Sequence, residues 1–117
     1  MPVSPGFQAF VLDLLAPLHP GARRLFGGAG ITADGVMFAL LSRDEMYFRV
    51  DATTRGRFEA AGCTPFGYNR AGKGVLIESY YAVPDGLYDQ PDELLSWAKE
   101  AIAAARRAVK PRKSKKR

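Results

Sequence analysis

Residues 23–38 read RRLFGGAGITADGVMF, and the fold turns on whether this stretch is a phosphate-holding loop or a strand and a turn. A dinucleotide-binding fingerprint needs G-x-G-x-x-G between a strand and the start of a helix, so that the pyrophosphate meets the helix N-terminus. Here Gly28-Ala29-Gly30 runs into strand-like residues and then Asp34-Gly35. Asp-Gly is a strong signal for a type I′ hairpin turn, because both central residues of that turn need positive φ. The stretch is therefore a strand, a turn and a second strand. Glycines inside a strand mark a bulge or the close approach of another backbone or side chain, which is the role expected of Gly28 and Gly30. Arg23 and Arg24 read as solvated residues at a strand start.

Working outward, Ser4-Pro5 is an N-cap and first-turn pair, and Phe7, Val11, Leu14, Leu15 and Leu18 share a helical face. Three apolar runs follow at a period of two: RLFGGAGI, VMFALL and MYFRV, the last two separated by SRDE at 42–45. TTRGRFEAAG reads as a short helix burying Phe58 and Ala61 and stopping at Gly62. FGYN, a glycine-rich turn RAGKG and VLIESYYAV make a second hairpin. A last helix starts near Pro91, with Asp92 and Glu93 in its first turn. It ends near Lys110, with an apolar stripe of Leu94, Ala98, Ala101, Ile102, Ala105 and Val109. The order α-β-β-β-α-β-β-α predicts a single α+β domain, an antiparallel sheet with helices on one face.

At 117 residues the chain supports one core and not two. Lys and Arg number 9 and Asp and Glu number 12 in residues 1–105, a formal charge of −3, while residues 106–117 carry eight positive charges and no negative one. The expected division is thus a folded domain over 1–105 and a helix end with a disordered basic tail over 106–117. No run approaches the roughly 18 apolar residues of a membrane span, and the N-terminus lacks a secretory pattern, so a cytoplasmic location and no membrane partner are expected. Cys63 and His19 are the sole residues of their types. They supply neither a disulfide framework nor a metal-ligand set. GKG at 72–74 lacks the Ser or Thr of a Walker loop, with Gly74 in that place. Asp44-Glu45 and Asp92-Glu93 fall at a turn and a helix start, where local structure accounts for them. No catalytic, cofactor-binding or metal set is assembled, so a non-enzymatic domain is expected. The alternative is a small-molecule-binding protein or an enzyme using Cys63 or a pocket near the glycine-rich strand.

VMFALL is apolar on both faces, whereas a strand of a half-exposed antiparallel sheet alternates. A protein partner or a homodimer is expected to cover the second face. Tyr47, Tyr68, Tyr80, Tyr81 and Tyr88 lie in or beside the strands and read mainly as cross-strand packing. In the tail, Lys110, Arg112, Lys113, Lys115, Lys116 and Arg117 are candidates for non-specific DNA contact through phosphates, weighed evenly against a solubilising end.

The blocks RRLFGG.G...DGVMFALL...MYFRVD, F...G..PF.Y...GKG and P.ELLSWA..A resemble the N-terminal domain of the TfoX/Sxy family, bacterial proteins associated with the regulation of natural competence. The resemblance runs from about Phe7 to Ala105. It implies an α+β domain with a regulatory association. Its signature positions fall on Phe26, Gly27, Gly28 and Gly30, on Asp34 and Gly35, on Pro65 and Phe66, and on Trp97, none with a catalytic role in the family. Leu25 stands where the family usually has methionine. Competence regulators of the family carry a second, C-terminal domain, and the resemblance here implies a stand-alone N-terminal domain.

Overall fold

The computed structural model describes the backbone of residues 4–25 and 28–114. Its elements are α1 (Pro5–Leu14), β1 (Gly21–Leu25), β2 (Gly28–Ala33), β3 (Val36–Ser42), β4 (Glu45–Arg49), α2 (Arg55–Ala60), β5 (Pro65–Arg70), β6 (Lys73–Ala82) and α3 (Pro91–Ser114), with short 3-10 turns at Ala16–Leu18 and Asp85–Asp89. The strands form one six-stranded sheet in the order β1-β2-β3-β4-β6-β5, with every pairing antiparallel. The α+β class stands, but the strand count differs. RLFGGAGI is two paired strands, since Leu25 faces Gly28 across a hairpin. Phe26-Gly27 between them is no recognised turn signal, and its conformation lies outside the described residues.

Three other hairpins close through two residues each, and every central residue has the positive φ that a type I′ turn demands. Asp34 and Gly35 sit at 53° and 81°, Arg43 and Asp44 at 53° and 57°, Ala71 and Gly72 at 53° and 81°. Asp34-Gly35 was legible as such a turn. Arg43-Asp44 adopts the same geometry without a glycine, and the Asp44 carboxylate is engaged by the Ser4 backbone N–H at 2.8 Å. The Ser4 hydroxyl in turn accepts the Phe7 N–H at 3.2 Å, capping α1 as expected.

One face of the sheet carries the main core. Ile31, Phe38, Ala39, Leu41, Met46, Phe48, Tyr81 and Val83 from the strands meet Val11 and Leu15 of α1, Phe58 of α2 and Leu94, Trp97, Ala98, Ala101, Ile102 and Ala105 of α3. Helix α3 lies on β3 and β4. Helix α2 starts two residues later than expected, because Asp51 ties up the preceding turn. Its carboxylate accepts from the Thr53 N–H at 3.0 Å, and its own N–H donates to the Thr54 hydroxyl at 3.0 Å. Ala61, expected in the core, is exposed, whereas Phe58 is buried and Gly62 closes the helix at φ 82°.

The end of α3 departs most from expectation. The helix continues to Ser114 and so runs through Pro111, where the sequence argues for a stop. A proline costs a helix one i→i−4 hydrogen bond, a loss confined here to the turn just after two anchored residues. Arg106 pairs with Asp34 at 3.1 Å, and Arg107 pairs with Asp51 at 2.6 Å and with the Thr53 hydroxyl at 3.1 Å. Both arginines, assigned by charge to the tail, grip the folded domain.

Alanine is poorly suited to the left-handed region that Ala71 occupies, at a cost of roughly 1–2 kcal/mol. Ala71→Asn creates the preferred Asn-Gly pair and is expected to raise unfolding stability by about 0.5–1 kcal/mol in a denaturant titration, with an unchanged m-value.

Candidate functional site

Among the described residues no helix covers the second face of the sheet, which carries its own apolar cluster. Leu40, Phe66 and Tyr80 are buried there, and Leu25, Met37, Tyr47, Tyr68 and Ile77 pack around them half-buried. A bulge makes this arrangement possible. Along β2 and β3, Ile31 faces Ala39 while the next residue, Thr32, faces Met37, so Phe38 is the extra residue of β3. A bulge resets which side successive residues point to. Phe38 and Ala39 both reach the main core, and Met37 and Leu40 both reach the second face. The missing alternation in VMFALL thus has an internal cause. A second register shift between Pro65 and Phe66, spanning Ile77 to Tyr81 on β6, brings Phe66 and Ile77 onto the same cluster.

Aromatic contacts organise the face. The Phe66 ring meets Tyr47 edge-on at 5.1 Å and Tyr68 at 5.9 Å. Arg49 lies over the Tyr80 ring with its guanidinium carbon 5.6 Å from the centroid, within the reach of a cation–π interaction. The Tyr80 hydroxyl donates to the Met37 carbonyl at 3.4 Å. Burial pushes the Tyr80 phenol above its ordinary range, against the opposing pull of Arg49. Burial raises Tyr47 too, with help from Glu45, whose carboxylate accepts from the Tyr47 hydroxyl at 3.5 Å. The Arg49 Nε is buried without a hydrogen-bond partner, so a donor with unused capacity sits among tyrosines.

The glycines explain why the sheet closes so tightly beside this face. A Cβ on Gly28 would overlap the Leu41 carbonyl oxygen, and one on Gly30 would overlap the Met37 sulfur, with Leu25 Cδ2 at 3.3 Å. The side of Gly28 and Gly30 where a Cβ would stand is filled by protein atoms, the close approach expected of glycines inside a strand. Asp34 and Gly35 form the β2–β3 turn, and Asp34 receives Arg106. Pro65 opens β5 opposite Tyr81. Trp97 is enclosed on the helix side: Phe58 meets it edge-on at 4.9 Å, Arg57 lies 4.0 Å above its ring, and its indole N–H donates to Glu93 at 3.3 Å. Arg57 also reaches Glu100 at 2.6 Å. Phe26 and Gly27 lie outside the described residues. So do the side chains of Lys110, Arg112 and Lys113, whose backbone belongs to α3, and the whole of Lys115, Lys116 and Arg117.

Cys63 lies in a separate open cleft of about 460 Å³ with Glu45, Thr64, Ala82 and Asp85 among its lining residues. Burial and then the carboxylates of Asp85 and Glu45 raise its pKa. That is the opposite of what a nucleophilic thiolate needs, and His19 does not line the cleft. Among the described residues no three His, Cys, Asp or Glu side chains gather as a metal site, and no helix is long and apolar enough to cross a membrane.

Sequence reasoning missed the structural cations Arg57, Arg106 and Arg107, because a lone arginine in a helix gives no signal of its partner. Tyr88, read as cross-strand packing, lies instead in the 3-10 turn Asp85–Asp89, with its ring against Phe7 and Phe10 of α1. Its hydroxyl accepts the Met46 N–H at 3.1 Å, and burial pushes its pKa up to about 12. Asp51 is held well below the ordinary carboxylate range, first by Arg107 and then by Thr53.

The domain is thus built of one antiparallel sheet with helices on one side and an aromatic apolar cluster on the other. The chain belongs to the TfoX N-terminal domain family, whose model matches residues 13–105. It is similar to the DNA transformation protein TfoX1 of Aliivibrio fischeri (strain ATCC 700601 / ES114), with 30% identity over 93 residues that cover 80% of this chain and 44% of that protein. The chain therefore spans less than half the length of this relative.

The two glycines should differ in tolerance, because a carbonyl in a central strand cannot move and a thioether can. Gly28→Ala is expected to destabilise by about 3 kcal/mol or more and Gly30→Ala by only about 1 kcal/mol. In a Met37→Ala background the Gly30→Ala cost should largely vanish, as a double-mutant cycle of denaturant midpoints will show.

Proposed function

We propose that the domain is a non-enzymatic interaction module of the competence-regulator type, which docks a protein surface on the helix-free face of its sheet. The observation that carries this is the second apolar cluster itself. Tyr, Met and Arg are enriched where protein partners bind, and this face offers Tyr47, Tyr68, Tyr80, Met37 and Arg49 around Leu40 and Phe66. The family and the TfoX1 relative support a regulatory role. A surface shared between two copies or with another regulator meets the same chemistry. Light scattering and sedimentation at rising concentration test the first case. Weak dimerisation at high micromolar protein is expected, and Tyr47→Asp should abolish it while leaving thermal stability within about 1 kcal/mol. A strict monomer at those concentrations removes the homodimer and leaves docking of a different protein.

The basic C-terminal end adds non-specific contact with nucleic acid. Residues 110–117 hold six of the 17 Lys and Arg, so a chain ending at Val109 keeps 11 against 12 acidic residues, a formal charge of −1. Such a run contacts phosphates and has no geometry for reading base edges. If it engages about four phosphates, log affinity should fall against log salt with a slope near −3.6. Binding should then weaken by roughly 10² between about 50 and 200 mM salt. Equal DNA binding by the full chain and the chain ending at Val109 would reduce the tail to a solubilising end.

A further inference from the structure

We propose that the free edge of β1 is a docking site for an extended acidic segment of a partner protein, which adds to the sheet as one more strand. This surface is distinct from the helix-free face. The strand Gly21–Leu25 is the terminal strand on its side of the sheet and, among the described residues, pairs with β2 alone. Four of its five residues are exposed. Alternate N–H and C=O groups of an edge strand point away from the sheet and form a ready template for another backbone.

What the edge admits is decided by charge. Arg23 faces Gly30, which faces Leu40, so Arg23 stands on the helix-free side, while Arg24 faces Ala29 and stands on the other. One guanidinium therefore flanks the edge on each side. Both residues are exposed, and neither has an ion-pair or hydrogen-bond partner among the described residues. Four other arginines are ion-paired or laid on rings: Arg49, Arg57, Arg106 and Arg107. Two copies of β1 pairing about Arg23 or Arg24 would set arginine opposite arginine, and like charges directly across a strand pair destabilise it. The edge thus favours, over a second copy, a strand carrying two consecutive carboxylates, one for each face. Residues beside the carboxylates meet Ala22 and the half-buried Leu25, so small or β-branched neighbours suit them. The other edge strand, β5, has one charged residue, Arg70 at its end, and so lacks the two consecutive cations of β1.

The probe is a fluorescein-labelled peptide TVDEVTV, compared with the neutral TVNQVTV and the basic TVKKVTV by fluorescence anisotropy against the full chain. The acidic peptide should bind at least tenfold more tightly than the neutral one, and the basic one should show no saturation in the same range. Amide hydrogen exchange should slow at β1 when the acidic peptide is bound. The double variant Arg23→Glu/Arg24→Glu should lose at least tenfold for the acidic peptide and gain binding of the basic one. Arg23→Ala/Arg24→Ala serves in its place if the reversal fails to fold. Self-association by light scattering should be the same in these variants, which separates this site from the helix-free face. Equal binding of acidic and neutral peptides, acidic binding that survives the arginine changes, or no binding of any peptide up to about 1 mM would overturn the proposal.

Discussion

The structure depends on one irregularity, the extra residue at Phe38 in the central strand β3. A regular strand divides its side chains evenly between two faces, and this strand has to serve a helix-covered core on one side and an aromatic cluster on the other. With the bulge, Phe38 and Ala39 enter the core together, and Met37 and Leu40 face outward together. Removing the extra residue would invert every position on one side of it, since a one-residue slip exchanges the two faces. The glycine pair of β2 answers the same crowding. Gly28 lies against the Leu41 backbone and Gly30 under the Met37 side chain.

The helices are held to this sheet by more than apolar contact. Arg57 stacks on Trp97 and bridges to Glu100, joining α2 to α3. Arg106 and Arg107 join the far end of α3 to the β2–β3 turn and to the residue two past β4. Exposed ion pairs contribute little each, so their role is orientation: they fix where the basic end of the helix leaves the domain.

Much of this was legible in the residues. The Asp34-Gly35 turn, the Ser4 cap, the stop at Gly62 and the apolar stripe of α3 follow from local rules that act over four or five residues. What failed to show were features set by distant partners. Phe26-Gly27 carries no turn signature, so two strands read as one. The bulge at Phe38 is dictated by its neighbours across the sheet, and VMFALL shows by itself only that apolar residues fall on both faces. The candidate face mixes both kinds of information. Its apolar character is visible in Met37, Leu40 and Tyr47, but the assembly of Phe66, Tyr80 and Arg49 around them depends on the register shift in β6, which no local pattern encodes.

Trp97 has one more consequence. It is the single tryptophan of the chain, and its ring is enclosed by Phe58 and Arg57 of α2 within a site only 9% exposed. An indole so placed is a built-in optical gauge of one joint in the molecule. Its emission responds to α2 lifting from α3, whatever happens at the opposite edge of the sheet. Spectral change that precedes the loss of backbone circular dichroism would mark that joint as the first part of the domain to open.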